Sequence, residues 1–312
     1  VTASTIRIAT RASQLALWQA EHVAALLRAA HPDLNVEIVH ISTIGDRDQT
    51  EPLANMGGQG VFTREVQHAL LDNRADVAVH SLKDLPTQSA TDELFLAAIP
   101  AREEVADVLV LPADSDQQAD LDSLPEGARI GTGSMRRQAQ LLHYRPDFQV
   151  SSIRGNVETR LRKLDEGEYD AIVLAAAGLK RLKLENRISL KLGPPLMLAA
   201  VGQGALGLEC RTSDQATRDY LAALNEPYTS AAATAERALL NELKAGCHAP
   251  VGTNSHLAED SGQLMLEGVV LSTDGKQRLY GKATASMTDA EQLGRQLAQG
   301  LLDQGAAPLI DV

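Results

Sequence analysis

Aromatic residues are scarce in this chain of 312: three Phe, five Tyr and one Trp, 3% in all. A surface that stacks on nucleic-acid bases needs more of them, so base-stacking platforms are excluded. Cysteine is scarcer still. Two residues, Cys210 and Cys247, cannot build a disulfide scaffold, and such low usage fits a reducing compartment. Positive charge is in deficit. Lys and Arg number 29 against 41 Asp and Glu, a net −12, which argues against general binding to nucleic acid or an anionic membrane. No apolar run approaches the roughly 18 residues that span a bilayer. The opening VTASTIRIATR lacks the basic, apolar and small-residue order of a signal peptide. A cytoplasmic location is therefore expected, and the alternative of an organelle presequence removed ahead of Val1 stays open. No P-loop and no HExxH occurs, and neither cysteine has a second at zinc spacing, so no metal site is expected.

What remains is an ordinary globular balance, 44% hydrophobic and 22% charged, at a length that suggests about two domains by the ~150-residue prior. Ile6–Thr10 reads as a strand. Ser13 caps a following helix that ends before Pro32, with Leu17, Val23 and Leu27 as core candidates. Val36–Ser42 reads as the next strand, and Thr43–Gly60 as a long functional or mobile loop. A helix over Val61–Asn73 presents Phe62, Val66, Ala69 and Leu70 on one face. Strands are expected at Asp76–His80, Leu94–Ile99, Asp107–Leu111, Arg129–Thr132, Gln149–Ile153 and Ala171–Leu174, with helices from about Ser134, Asn156 and Ala176. This alternation implies two α/β lobes with parallel sheets. After Thr229 a helix, three strand-like runs and a last helix over Asp289–Gln304 describe a small α+β domain. No internal repeat of 20–50 residues is visible.

Charge placement points to anions. Residues 129–191 hold thirteen Lys and Arg against seven Asp and Glu, a net +6, which leaves −18 elsewhere. Ser134 opens a helix bearing Arg136 and Arg137, and Arg154-Gly155-Asn156 precedes one bearing Arg160. Helix N-termini and guanidinium groups both suit carboxylate or phosphate. Adjacent Arg136 and Arg137 point about 100° apart on a helix, so one of them can be structural. Ser81-Leu82-Lys83-Asp84 follows a buried strand, where open α/β sheets place ligands. An ionised Asp84 there could steady a developing cation. Cys247 sits in a Gly- and Pro-bounded loop beside His248 and Lys244, and can have thiolate character. Cys210, in an apolar run, reads as inert core. Gly202–Gly207 matches GxGxxG but precedes a strand-like run, a weak dinucleotide signal. His80, Ser81 and Asp84 are too close in sequence for a triad. A two-lobed binding protein for a carboxylate ligand and a dinucleotide oxidoreductase stand as rivals from other classes.

The runs RIATRASQLALWQA, VAVHSLKDLPT, GTGSMRRQAQL, IRGNVETRLRKLDEGEYDAIVLAAAGLKRL, AVGQGALGLECR and AERALLNELKAGCHAPVG together resemble the porphobilinogen deaminase family, collinearly over nearly the whole chain. The resemblance implies two lobes like type II periplasmic binding proteins plus a small C-terminal α+β domain. Their expected bounds are 1–100 with 200–222, 101–199, and 223–312. It implies a transferase that joins four porphobilinogen molecules head to tail on a dipyrromethane cofactor, releasing ammonia and then hydroxymethylbilane. It implies a thioether from Cys247 to that cofactor and Asp84 as the catalytic carboxylate. Ser81, Lys83, Ser134, Arg136, Arg137, Arg154 and Gly155 fall on cofactor-binding positions, with Arg11, Arg154, Arg160 and Arg181 on substrate-binding ones. A monomer is expected, with porphobilinogen as partner and no nucleic acid or membrane. Asn55 and Gln59 stand where the family commonly has lysine, so the Thr43–Gly60 loop, read as a lid, should close less favourably over anions.

Overall fold

Strand β1 (Thr5–Thr10) alternates inward Ile6 and Ile8 with polar neighbours and feeds helix α1 (Gln14–Ala30). The Ser13 side chain accepts from the Ala16 N–H and so starts that helix, as its position before an apolar-periodic run predicts. Val23 and Leu27 of α1 are buried in the core, and Leu17 is half-buried. This computed structural model describes residues 4–41, 63–88, 91–115, 120–246, 249–258 and 261–310. The Thr43–Gly60 loop with Asn55 and Gln59, Phe62, Cys247 and His248 lie outside the described residues.

The described chain divides into two compact units, residues 1–102 with 205–230, and residues 103–204 with 231–312. In unit 1, β2 (Asn35–His40), α2 (Arg64–Leu71), β3 (Val77–Ser81) and β4 (Leu94–Ala98) follow, and β10 (Leu206–Arg211) returns late in the chain to complete the sheet. Its strand order is β2-β1-β3-β10-β4. In unit 2, β5 (Asp107–Val110), β6 (Arg129–Gly131), α3 (Met135–Tyr144), β7 (Gln149–Ser151), α4 (Val157–Asp165), β8 (Ala171–Ala175), α5 (Ala176–Arg181) and β9 (Leu190–Leu192) build a sheet of order β7-β6-β8-β5-β9. The two orders are the same pattern. In each, the strand in fourth place is the first one laid down after the chain enters that unit from the other.

That strand corrects the expectation of parallel sheets. β10 runs antiparallel to β3 and β4, and β5 runs antiparallel to β8 and β9, whereas β1, β2 and β3, like β6, β7 and β8, are mutually parallel. Both sheets are mixed because the entering strand arrives from outside the βα succession. Helix α6 (Gln215–Ala222) packs on β4 and β10 in unit 1.

Beyond helix α7 (Pro227–Glu242), an antiparallel sheet of β11 (Val251–Leu257), β12 (Leu264–Leu271) and β13 (Arg278–Ala285) carries helix α8 (Ala290–Asp303). Within unit 2 this sheet joins the arginine-bearing helix: Ala139 of α3 clusters with Leu198, Val269 and Leu271. The β12–β13 turn presses in at Gly275, where a Cβ would meet the Ala139 carbonyl oxygen at 2.7 Å. The fold is mixed α/β, with a small C-terminal sheet-and-helix domain.

Candidate functional site

In unit 1, β3 ends at Ser81 and turns through a 3-10 segment, Leu82–Asp84. Leu82 is buried and its N–H donates to the Ala205 carbonyl at 3.0 Å, which anchors the turn. The turn is short because Leu85 and Pro86 follow, and the residue before a proline avoids the helical region. Asp84 therefore projects from the carboxyl end of the sheet. Its carboxylate is exposed and makes no hydrogen bond or ion pair among the described residues. It lines a cavity of about 120 Å³ with Arg11, Ser81 and His80. Gln19 of α1 donates to the Ser81 hydroxyl at 2.9 Å. Lys83 is half-buried on the same turn and has its own partner. The His80 ring lies 3.1 Å from Glu209 on β10, and among the described residues no hydrogen bond joins it to Ser81 or Asp84.

In unit 2, two strand-to-helix turns lie side by side. The Thr132 N–H donates to the Ser151 carbonyl at 2.9 Å, and a Cβ on Gly133 would touch the Ile153 carbonyl oxygen at 3.2 Å. Ser134 precedes α3 without capping it, so the first N–H groups of that helix keep no side-chain acceptor from it. Asn156 does cap α4, accepting from the Thr159 N–H at 2.9 Å. Gly155 has a φ of +109°, and a Cβ there would meet Thr159 at 2.5 Å. Arg160 reaches back to the Gly155 carbonyl at 2.8 Å. Arg154 is exposed beside it.

Arg136 and Arg137 are placed differently from the expectation that they diverge. Both are buried and both converge on Asp107, at 2.6 and 2.9 Å. Arg136 also donates to the Leu198 carbonyl, and Arg137 to that of Val173. Gln203 donates to the same Asp107 carboxylate at 2.9 Å. Burial alone would push the Asp107 carboxyl up, but the two guanidinium groups overcome it and hold it well below the usual carboxylate range. Two cations against one anion leave this buried cluster with a surplus positive charge, and Nε of Arg136 is buried without a partner among the described residues. Arg181 is buried at the end of α5, donates to the Gly204 carbonyl at 2.7 Å, and is pushed down to about 10 by burial. Much of the other positive charge in residues 129–191 is neutralised locally, as in Arg129 with Asp170 and Arg187 with Asp165.

Sequence reading missed Gln19, Asp107, Gln203 and Glu209. For two of them a signal existed. Asp107 opens DVLV and Glu209 interrupts LGLECR, both otherwise apolar strands, and a carboxylate in such a strand needs partners. Cys210 is buried on β10 as expected, its thiol pushed up to about 11 mainly by burial. On either side of Cys247, the Ala249 N–H donates to the Gly246 carbonyl at 3.0 Å.

Comparison with known proteins gives two family matches. Residues 6–219 match "Porphobilinogen deaminase, dipyromethane cofactor binding domain", and residues 230–303 match "Porphobilinogen deaminase, C-terminal domain". Among solved structures, the periplasmic VFT2 domain of BvgS from Bordetella pertussis is similar at 17% identity and a TM-score of 0.43, over 70% of this chain and 86% of that one. The sulfonate-binding protein SsuA from Methylobacillus flagellatus KT is similar at 15% identity and a TM-score of 0.40, over 78% and 69%.

Proposed function

This chain belongs to the porphobilinogen deaminase family, and from that membership we propose which of its residues carry the reaction. The enzyme is a transferase with hydroxymethylbilane synthase activity that polymerises porphobilinogen in tetrapyrrole biosynthesis and uses a dipyrromethane cofactor. The donors present fit that cofactor. A dipyrromethane offers ring N–H groups and carboxylate arms, and one cavity of unit 1 holds a carboxylate, Asp84, together with a guanidinium, Arg11. When bound, the cofactor supplies the ring carbon on which the product is built. The attachment point is Cys247, by thioether.

Asp84 accepts ring N–H groups and stabilises the cation that porphobilinogen becomes as ammonia leaves, the kind of preorganised charge that acts strongly at a developing opposite charge. The observation that carries this assignment is the exposed Asp84 carboxylate without an ion-pair partner among the described residues. Ser81, held by Gln19, and Lys83 fix the turn that aims it. Arg11 holds a carboxylate arm. In unit 2, carboxylates bind at the uncapped start of α3, at Ser134, and at Arg154 and Gly155, with Arg160 bracing the turn. Arg136 and Arg137 supply the surplus positive charge behind it, and Arg181 is a further substrate-binding cation. The three domains are bounded as 1–100 with 200–222, 101–199, and 223–312. The protein works as a monomer in the cytoplasm. No described helix is long and apolar enough to cross a membrane.

Intact mass tests the reading. The purified chain should exceed its sequence mass by a dipyrrole, and porphobilinogen should add a ladder of pyrrole units. An unmodified chain that turns over substrate would overturn the cofactor assignment at Cys247.

A further inference from the structure

Beneath the Asp84 cavity lies a buried pair that the reaction as described leaves unused. The side chains of His80 and Glu209 are 4% and 5% exposed, and Nε2 of His80 lies 3.1 Å from a Glu209 oxygen. Gln67 of α2 donates to both oxygens of the same carboxylate, at 3.1 and 3.0 Å. Glu209 sits where β10 shifts register against β4, an irregularity of the kind that re-aims a side chain. Opposite His80 on β10 is Gly207, so no neighbouring side chain crowds the ring from that strand position.

We propose that His80, fixed in one tautomer by Glu209, accepts the proton released at each condensation. An ionised Glu209 is acceptor-only, so Nε2 of His80 must be the donor and carry the hydrogen. The lone pair is then on Nδ1. That atom has no hydrogen-bond partner among the described residues, and His80 lines the cavity with Asp84, Arg11 and Ser81. The elements packed against β3 also carry Arg7 on β1, Glu21 and Arg28 on α1, Arg64 and Glu65 on α2, and Arg211 on β10. Taking up a proton at Nδ1 turns a lone buried carboxylate into a neutral ion pair.

The step balances. The C–N bond of the incoming porphobilinogen breaks and ammonia keeps its electron pair. The attacking ring carbon uses a π pair to form the new C–C bond to the carbon that lost ammonia, and then carries one hydrogen too many. That C–H pair returns to the ring, the proton passes to Nδ1 of His80, and from there it goes to ammonia or water. A substrate that enters as an ammonium thus loses its charge as ammonium. Asp84 serves the cation, which leaves a separate group to take the proton.

The proposal rests on the cavity around Asp84 being the reaction site, and the test separates the two. Nitrogen NMR of the wild-type holoenzyme, labelled at histidine, reads the tautomer directly and should give His80 as Nε2–H. His80→Gln keeps an amide N–H for Glu209 and removes the basic nitrogen. Its turnover should fall about 100-fold or more, the lower end of what a general base contributes, with KM unchanged. Porphobilinogen deuterated at its free α-carbon should react more slowly than unlabelled substrate in that variant, because proton removal becomes the slow step. Should His80→Gln fail to fold, Glu209→Gln should show the same isotope effect more weakly. An Nδ1–H tautomer, undiminished turnover, or lost turnover without an isotope effect would each overturn the role of His80. Wild-type turnover in Asp84→Asn would instead sink the cavity assignment and leave the tautomer measurement standing.

Discussion

Asp107 is fully buried and answers two arginines with one charge. Asp107→Asn would leave both guanidinium groups without a counter-charge, and removing one partner of a buried pair costs about 3–5 kcal/mol. Denaturant titration should show that loss near neutral pH. Because the folded carboxyl lies below its unfolded value, its stabilisation is present above the unfolded value of roughly 3.9. It is lost as pH falls through the lower folded value. The gap between wild type and variant should therefore hold down to mildly acid pH and close only in strong acid. Asp84→Asn should behave in the opposite way. It makes no described contact, so the fold should be untouched, while turnover falls on the order of 10²–10³ with the loss of a preorganised charge. The two cysteines divide similarly. Peptide mapping should find dipyrrole mass on Cys247, and native Cys210 should resist alkylation at neutral pH because burial holds its thiol protonated up to about 11.

The turns after β6 and β7 show how much an element's start says about its work. Asn156→Ala removes the cap of α4 and should cost about 1 kcal/mol. Gly155→Ala should cost more, about 1–3 kcal/mol, because the left-handed backbone there is strained for any side chain and a Cβ meets Thr159. Thermal melts of both variants against wild type check the order. These turns were legible in the sequence, since caps, glycines and β-branched runs are local signals. Ser13 before α1 and Asn156 before α4 were placed correctly for that reason. β9 was not legible, because Leu190–Leu192 is three residues with a lysine at its centre. α6 was not either: QATRDYLA is polar, although Asp214 does cap it by accepting from Thr217. The directions of β5 and β10 had no local signature at all, because strand polarity is decided by where the chain comes from. The place of Asp84 just past the carboxyl end of a buried strand was readable in the sequence. The inward turn of both Arg136 and Arg137 was not, because their common partner Asp107 lies 29 and 30 residues away in sequence.

At the scale of the whole molecule, the two larger sheets repeat one strand order although no repeat of 20–50 residues is visible in the chain. The repeat is one of connectivity, with a spacing of more than a hundred residues from β1 at Thr5 to β6 at Arg129. The late return of β10 also sets an order of birth. Every strand of the unit 2 sheet lies between Asp107 and Leu192, so that sheet can close as soon as its own stretch has been made. The older segment cannot. Until Leu206–Arg211 emerges, β3 and β4 face each other across a gap one strand wide, with open edges of the kind that attract other chains. Pulse-labelled hydrogen exchange during refolding should therefore protect the amides of β6 and β8 before those of β3 and β4, and simultaneous protection would contradict this order. On the ribosome, a chain that stops short of Leu206 holds β3, the strand that leads to Asp84, against β1 on one edge only and leaves its other edge open.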